Sequence, residues 1–313
     1  MANWLTKTAC CAVALVAALS LTACGGGGGG GGAGGGADST SGASFQAPAD
    51  VASPAFDSAD AVSQNDGSID TSKVNDGIVM AQGTSASRLK LLVTHGDMSY
   101  NYDIPGDGTP ITAPINMGDG AYTFAIMRNT GEQNYVEINS TTADVKLTSE
   151  TAPFTQPNMY CNYSSSSACV TKARDLTADC ENVGDAVRAV CTYIVDNVSY
   201  DTDKATQLSK ITGYVPNPDE TFSTNKGICF DYASLGAAML RSMGIPTKIV
   251  TGYVSPDDLY HAWIMVYIDG SWSSAKFSVS PQSWSRVDLT FAADSSNQGF
   301  VGDGLSYTER YVY

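Results

Sequence analysis

Lys226-Gly227-Ile228-Cys229-Phe230-Asp231-Tyr232-Ala233-Ser234-Leu235-Gly236-Ala237-Ala238-Met239-Leu240-Arg241-Ser242-Met243 is the stretch from which the fold is read. Leu235, Met239, Leu240 and Met243 recur at helical spacing, and Gly244 with Pro246 supplies the stop. The segment is apolar nearly all round, which predicts a buried central helix with Cys229 in its first turn. That placement carries chemistry. The unpaired N–H groups and the positive dipole end of a helix start favour thiolate over thiol, and the thiolate is the nucleophile. The same N–H groups can hold the oxyanion that forms on the way to a thioester. Gly227, just ahead, lets a substrate carbonyl approach the backbone closely.

A thiol nucleophile needs a base, and the chain of 313 residues has only two histidines, His95 and His261. His95 stands between Thr94 and Gly96-Asp97, a turn pattern on the surface with no partner motif nearby. His261 begins His261-Ala262-Trp263-Ile264-Met265-Val266-Tyr267, which reads as a strand closed by the hairpin signal Asp269-Gly270. Trp263 reads as core first and as a wall of an acyl pocket second. An imidazole used as base needs a third group on its other nitrogen. Asp269, Asp288 and Asp294 lie downstream, and Asp269 is occupied by its turn. Trp284-Ser285-Arg286-Val287-Asp288-Leu289-Thr290 reads as a strand that can pair with the His261 strand. Cys229, His261 and Asp288 are therefore the candidate catalytic residues.

Outside this core the sequence changes character. Lys7, an apolar run over residues 9–21 and the ending Leu21-Thr22-Ala23-Cys24 predict an export signal over residues 1–23. That ending resembles a bacterial lipobox, which implies lipidation of Cys24 and anchoring on the extracytoplasmic face of the cell membrane. Residues 24–85, glycine-rich and then rich in Ser, Ala and Asp, are expected to be a disordered tether. Short β-type runs at 88–94, 98–104, 121–128, 135–138 and 144–147 predict a small sandwich-like all-β domain over residues 86–151. Residues 152–313 are expected to mix helix and strand, with helices near 169–176 and 183–195, the second capped by Asn182 or Asp179. The run 211–225, with Pro216, Asn217 and Pro218, reads as a loop, and the polar-then-aromatic residues 309–313 as a terminal strand.

Of the eight cysteines, Cys10 and Cys11 leave with the signal and Cys24 takes the lipid, so five remain in an oxidising compartment. Cys161, Cys169, Cys180 and Cys191 are close enough in sequence to make disulfides in any of three connectivities, which leaves Cys229 unpaired. A net charge of −15 argues against binding nucleic acid. No calcium-loop pattern appears, so no metal or cofactor is expected.

Taken together, Gly227-x-Cys229-x-Asp231-Tyr232-Ala233, Leu240-Arg241-x-x-Gly244-Ile245-Pro246, Gly252-Tyr253, His261-Ala262-Trp263 with Val266-Tyr267, and Gly270-x-Trp272 resemble the core of the transglutaminase-like superfamily. The resemblance implies an α+β, papain-like core: a central helix bearing the cysteine against an antiparallel sheet bearing histidine and aspartate. Carried over by position, those residues are Cys229, His261 and Asp288. Two features depart from the family pattern. The interval from His261 to Asp288 is longer, which implies an added hairpin around 278–283, and the Asp-Pro pair common after the last strand is Asp288-Leu289. The implied activity is acyl transfer from protein or cell-wall peptide amides through a cysteine thioester, with hydrolysis (peptidase or amidase) favoured. The alternatives are a cross-linking transglutaminase and a non-catalytic surface binding module.

Overall fold

The structure, a computed structural model, describes residues 43–254, 259–268, 283–287, 289 and 307–313. Regular structure begins earlier than the sequence suggests. β1 (Val62–Gln64) and β2 (Gly67–Asp70) form a hairpin whose linking residues, Asn65 and Asp66, have φ of 47° and 67°. Two successive left-handed residues suit the twist of a tight hairpin, and Asn and Asp tolerate that region. β3 (Ile78–Gly83) pairs with β2. β4 (Leu89–His95) and β5 (Met98–Ile104) leave for a second sheet, and β6 (Ile111–Pro114) returns to pair with β3. β7 (Gly120–Gly131) and β8 (Asn134–Val145) complete the second sheet in the order β5-β4-β7-β8.

Ile69, Val79 and Ala81 from the first sheet meet Leu89, Leu91, Val93, Phe124 and Ile126 from the second, so the domain is a two-sheet sandwich. The tether expected over 24–85 therefore ends too late, since 62–83 supplies three strands of the first sheet. Two of these strands, β1 and β2, are short, and the polar residues around Ile69 mask its burial. Residues before the sandwich are also engaged. Phe45 N–H donates to Glu181 O at 2.9 Å, and Arg174 Nη1 donates to Pro48 O at 3.1 Å. The runs expected at 135–138 and 144–147 lie in or at the end of the single strand β8, whose register shifts opposite Ile126 and Met127.

Past the sandwich the chain becomes helical. α1 (Ala168–Thr177) is followed by α2 (Val183–Asn197), where the Asn182 side chain accepts the Asp185 N–H at 2.9 Å as the expected cap. β9 (Ser199–Tyr200), α3 (Thr202–Leu208), α4 (Pro218–Thr224) and β10 (Lys226–Gly227) then lead into α5 (Cys229–Ser242). α4 replaces part of the expected loop. Asn217 caps it and Pro218 occupies the first helical position, where a missing N–H costs nothing.

α5 is the central helix: its residues from Asp231 to Ser242 are all buried. It packs on an antiparallel sheet of β11 (Thr247–Val254), β12 (Leu259–Ile268), β13 (Ser283–Val287) and β14 (Tyr307–Val312), in the order β13-β12-β11-β14. Arg241 ties this layer together. Its guanidinium, 2% exposed, donates to Thr247 O at 2.7 Å, to Gln156 O at 2.8 Å and to Tyr313 O at 2.8 Å. Tyr160 joins the two domains through tilted ring contacts with Tyr102, Tyr313 and Phe230.

Candidate active site

The site is built at the start of α5. Cys229 is the first helical residue, and the intrahelical ladder begins with Tyr232 N–H on Ile228 O at 3.1 Å. The N–H groups of Cys229 and Phe230 therefore lie outside the ladder, as a helix start requires. Asp231 reaches back so that its Oδ2 accepts the Ile228 N–H at 2.9 Å, the carboxylate half of a capping box. Gly227 has no room for a side chain, because a Cβ there would lie 2.5 Å from the Asp231 Cβ. The approach to the helix is held by parallel pairing of β9 and β10, with Tyr200 opposite Gly227, and by Asp201 N–H on Gly227 O at 3.0 Å. Tyr232 Oη donates to Val198 O at 2.6 Å and fixes the same junction from below.

Asp231 is fully buried and has further partners. Tyr214 Oη donates to its Oδ1 at 2.5 Å, and Lys204 Nζ lies 2.8 Å from its Oδ2. The Lys204 ammonium also sits over the Tyr214 ring at 4.9 Å. Burial, then the hydrogen bond to Asp231, pushes the Tyr214 phenol well up from its ordinary value. Tyr200, half exposed, is raised by burial first, with Cys229 and Asp231 adding to the effect. Sequence reasoning missed Lys204, Tyr214 and Tyr200 as parts of this environment. Asp231 stood in the motif, but its partners come from a short helix and an irregular segment with no pattern of their own.

His261 lies on β12 and is buried, 4% exposed. α5 and β12 run in the same direction. Gly236, midway along the helix, packs against Ile264, and Pro246, just past its end, accepts the Tyr267 N–H at 3.0 Å. Followed back, Cys229 at the start of α5 lies toward the His261 end of β12. Strand alternation places Ala262, Ile264 and Val266 on the face against α5, and His261 with Trp263 on the opposite face. The fold thus sets Cys229 toward the end of β12 that bears His261, while the His261 side chain belongs to the sheet face opposite α5. Trp263 is core: it packs with Val250 and Val254 and meets Tyr307 edge-on at 4.9 Å. β13 pairs with β12 as expected, Val287 opposite Ile264, while Asp288 itself lies outside the described residues. Cys24 does too.

The remaining thiols correct one expectation. Cys161, Cys169, Cys180 and Cys191 are free, so the disulfides expected among them are not formed. Cys161, Cys169 and Cys191 are instead small apolar members of the core around α5. Burial pushes the Cys161 thiol up to about 11 and the Cys191 thiol up to about 12, which leaves both inert near neutral pH. Cys229 differs in being partly exposed at a helix start. His95 stacks on Tyr122 at 4.6 Å in the sandwich, away from α5, as its turn context implied.

Residues 170–288 match the model of the transglutaminase-like superfamily. That span is similar to a transglutaminase-like domain. The matched span contains Cys229 and His261 and ends at Asp288. Among curated proteins, the chain is 32% identical over 114 residues to the uncharacterized protein YebA of Bacillus subtilis, covering 31% of this chain and 15% of that protein. It is 31% identical over 109 residues to the protein MJ1282 of Methanocaldococcus jannaschii, covering 32% of this chain and 29% of that one. The chain thus spans less than a third of the length of either relative. A Cytophaga hutchinsonii structure described as a candidate cysteine protease covers 76% of this chain and 79% of its own, at 17% identity and a TM-score of 0.39. Red sea bream transglutaminase covers 68% of this chain and 48% of its own, at 12% identity and a TM-score of 0.31.

Proposed function

We propose that the protein is a cysteine acyl-transfer enzyme in which Cys229 is the nucleophile, His261 the base and Asp288 the group that orients the base. The observation that carries the reading is the half-buried free thiol at the start of α5, aligned with the His261 end of β12. The Cys229 sulfur attacks an amide carbonyl carbon, and the N–H groups outside the helical ladder stabilise the oxyanion. Collapse breaks the C–N bond, the amine leaves with a proton from His261, and a thioester remains on Cys229. Water then releases the acid and restores the thiol. Hydrolysis is favoured over transfer to a second amine as the reading for this chain, with protein or cell-wall peptide as substrate. The same reading places the enzyme outside the membrane, anchored through lipid on Cys24.

The test is detection of the thioester. The protein is mixed with secreted protein and cell-wall peptides, quenched in acid and weighed intact by mass spectrometry. The expected result is an adduct at Cys229 that hydroxylamine removes and that is absent from Cys229→Ala. An adduct that survives hydroxylamine, or one of equal yield in Cys229→Ala, rules the mechanism out.

A further inference from the structure

A carboxylate buried two residues along a helix from a thiolate nucleophile works against that thiolate. Asp231 is fully buried, and it is held there for a structural purpose, since its Oδ2 accepts the Ile228 N–H at 2.9 Å and so fixes the backbone that presents Cys229. The chain does not leave this charge alone. Lys204, from α3, brings its ammonium to 2.8 Å from the same oxygen, and Tyr214 donates to the other oxygen at 2.5 Å. Lys204 is itself placed by two contacts. Its backbone N–H donates to Asp201 Oδ1 at 2.9 Å, and its ammonium lies 4.9 Å above the Tyr214 ring.

We propose that Lys204 and Asp231 are positioning residues for Cys229: Asp231 fixes the start of the nucleophile helix, and Lys204 cancels the negative charge that this fixing introduces. The proposal rests on Cys229 being the nucleophile. The titratable and charged groups near the start of α5 are Tyr200 from β9, Lys204 from α3, Tyr214 from the segment before α4, Glu220 from α4, Lys226 from β10 and Asp231 from α5 itself, while His261 lies on the opposite face of β12. Within this set Lys204 and Asp231 form the ion pair of opposite full charges. A low-dielectric site leaves such charges weakly screened, so removing one is felt at the sulfur and removing both is not.

The experiment measures the rate of iodoacetamide alkylation of Cys229 against pH in the full chain, with the modified peptide resolved by mass spectrometry. Lys204→Met is expected to move the profile up by about one pH unit, and Asp231→Asn to move it down by about as much. The double variant is expected to return close to the wild-type profile, and Lys204→Arg to keep it. Lys204→Met leaves a buried carboxylate without its cation and is the variant most exposed to unfolding. If it does not fold, the downward shift in Asp231→Asn and its reversal in the double variant carry the test. A purely structural role slows both single variants without opposite shifts. Profiles that move together, or do not move, in a protein whose wild-type Cys229 alkylates rapidly overturn the proposal. A wild-type Cys229 no faster than free cysteine overturns the nucleophile assignment instead, before any variant is compared.

Discussion

At the scale of single residues, the helix start at Cys229 and the strand that bears His261 were legible because each stands in a local pattern. The helix start makes one thiol distinct, and the other histidine, His95, proves to be a stacked ring on the sandwich. Gly227 shows how tightly the nucleophile is framed. A methyl group there would lie 2.5 Å from the Asp231 Cβ, an atom that no side-chain rotation moves away. Gly227→Ala is therefore expected to cost roughly 1–3 kcal/mol of stability in urea unfolding and to slow Cys229 alkylation. Unchanged values for both would show that the junction yields more easily than its geometry implies. Lys204 and Tyr214 were illegible for a physical reason. Their role comes from contact with Asp231 across the fold, and neither α3 nor the segment before α4 carries a periodic apolar signal that would place them.

At the scale of elements, α5 was read from its own sequence because a helix buried on all sides has little room for polar residues. Its one large exception, Arg241, explains how the layer closes. Three nitrogens of one buried guanidinium satisfy carbonyls of Gln156, Thr247 and Tyr313, so α5 is joined to β11, to the chain end after β14 and to the segment before α1. Arg241→Met leaves those carbonyls buried without their donors and is expected to destabilise the fold by about 2–5 kcal/mol in urea unfolding. Arg241→Lys should restore only part of this, since an ammonium cannot reproduce the planar fork. A neutral Arg241→Met would mean the carbonyls find other donors. Elements whose apolar content is low were harder to read. β1 and β2 bury few side chains, and α4 is a short helix whose Asn217 and Pro218 look the same in a turn and at a helix start.

At the scale of the whole molecule, the sandwich followed by a helix-and-sheet core was visible in the order of patterns, while its boundary was displaced because the short strands β1 and β2 that open it are largely polar. The disulfides did not follow from cysteine counting, because spacing cannot distinguish thiols that face each other from thiols that fill a core. Those core thiols set a pH limit. Cys161 at about 11 and Cys191 at about 12 keep protons in the fold that the unfolded chain gives up near its ordinary thiol value of about 8.5. Their contribution is whole below that value and is lost as pH rises through the folded values. The melting temperature is expected to hold between pH 6 and 8, taken as a range of about two units, and to fall steadily above about pH 9. A flat profile up to about pH 11 would place those thiols in solvent or in bridges. The same contrast among thiols gives the most direct measurement of the central assignment. The folded chain is exposed briefly to iodoacetamide near neutral pH, and every cysteine peptide is quantified. Cys229 is expected to be modified first, faster than free cysteine and more slowly in His261→Ala, while Cys161, Cys169 and Cys191 stay unmodified. Modification of Cys229 no faster than free cysteine, or at an unchanged rate in His261→Ala, would contradict a nucleophile activated by that histidine.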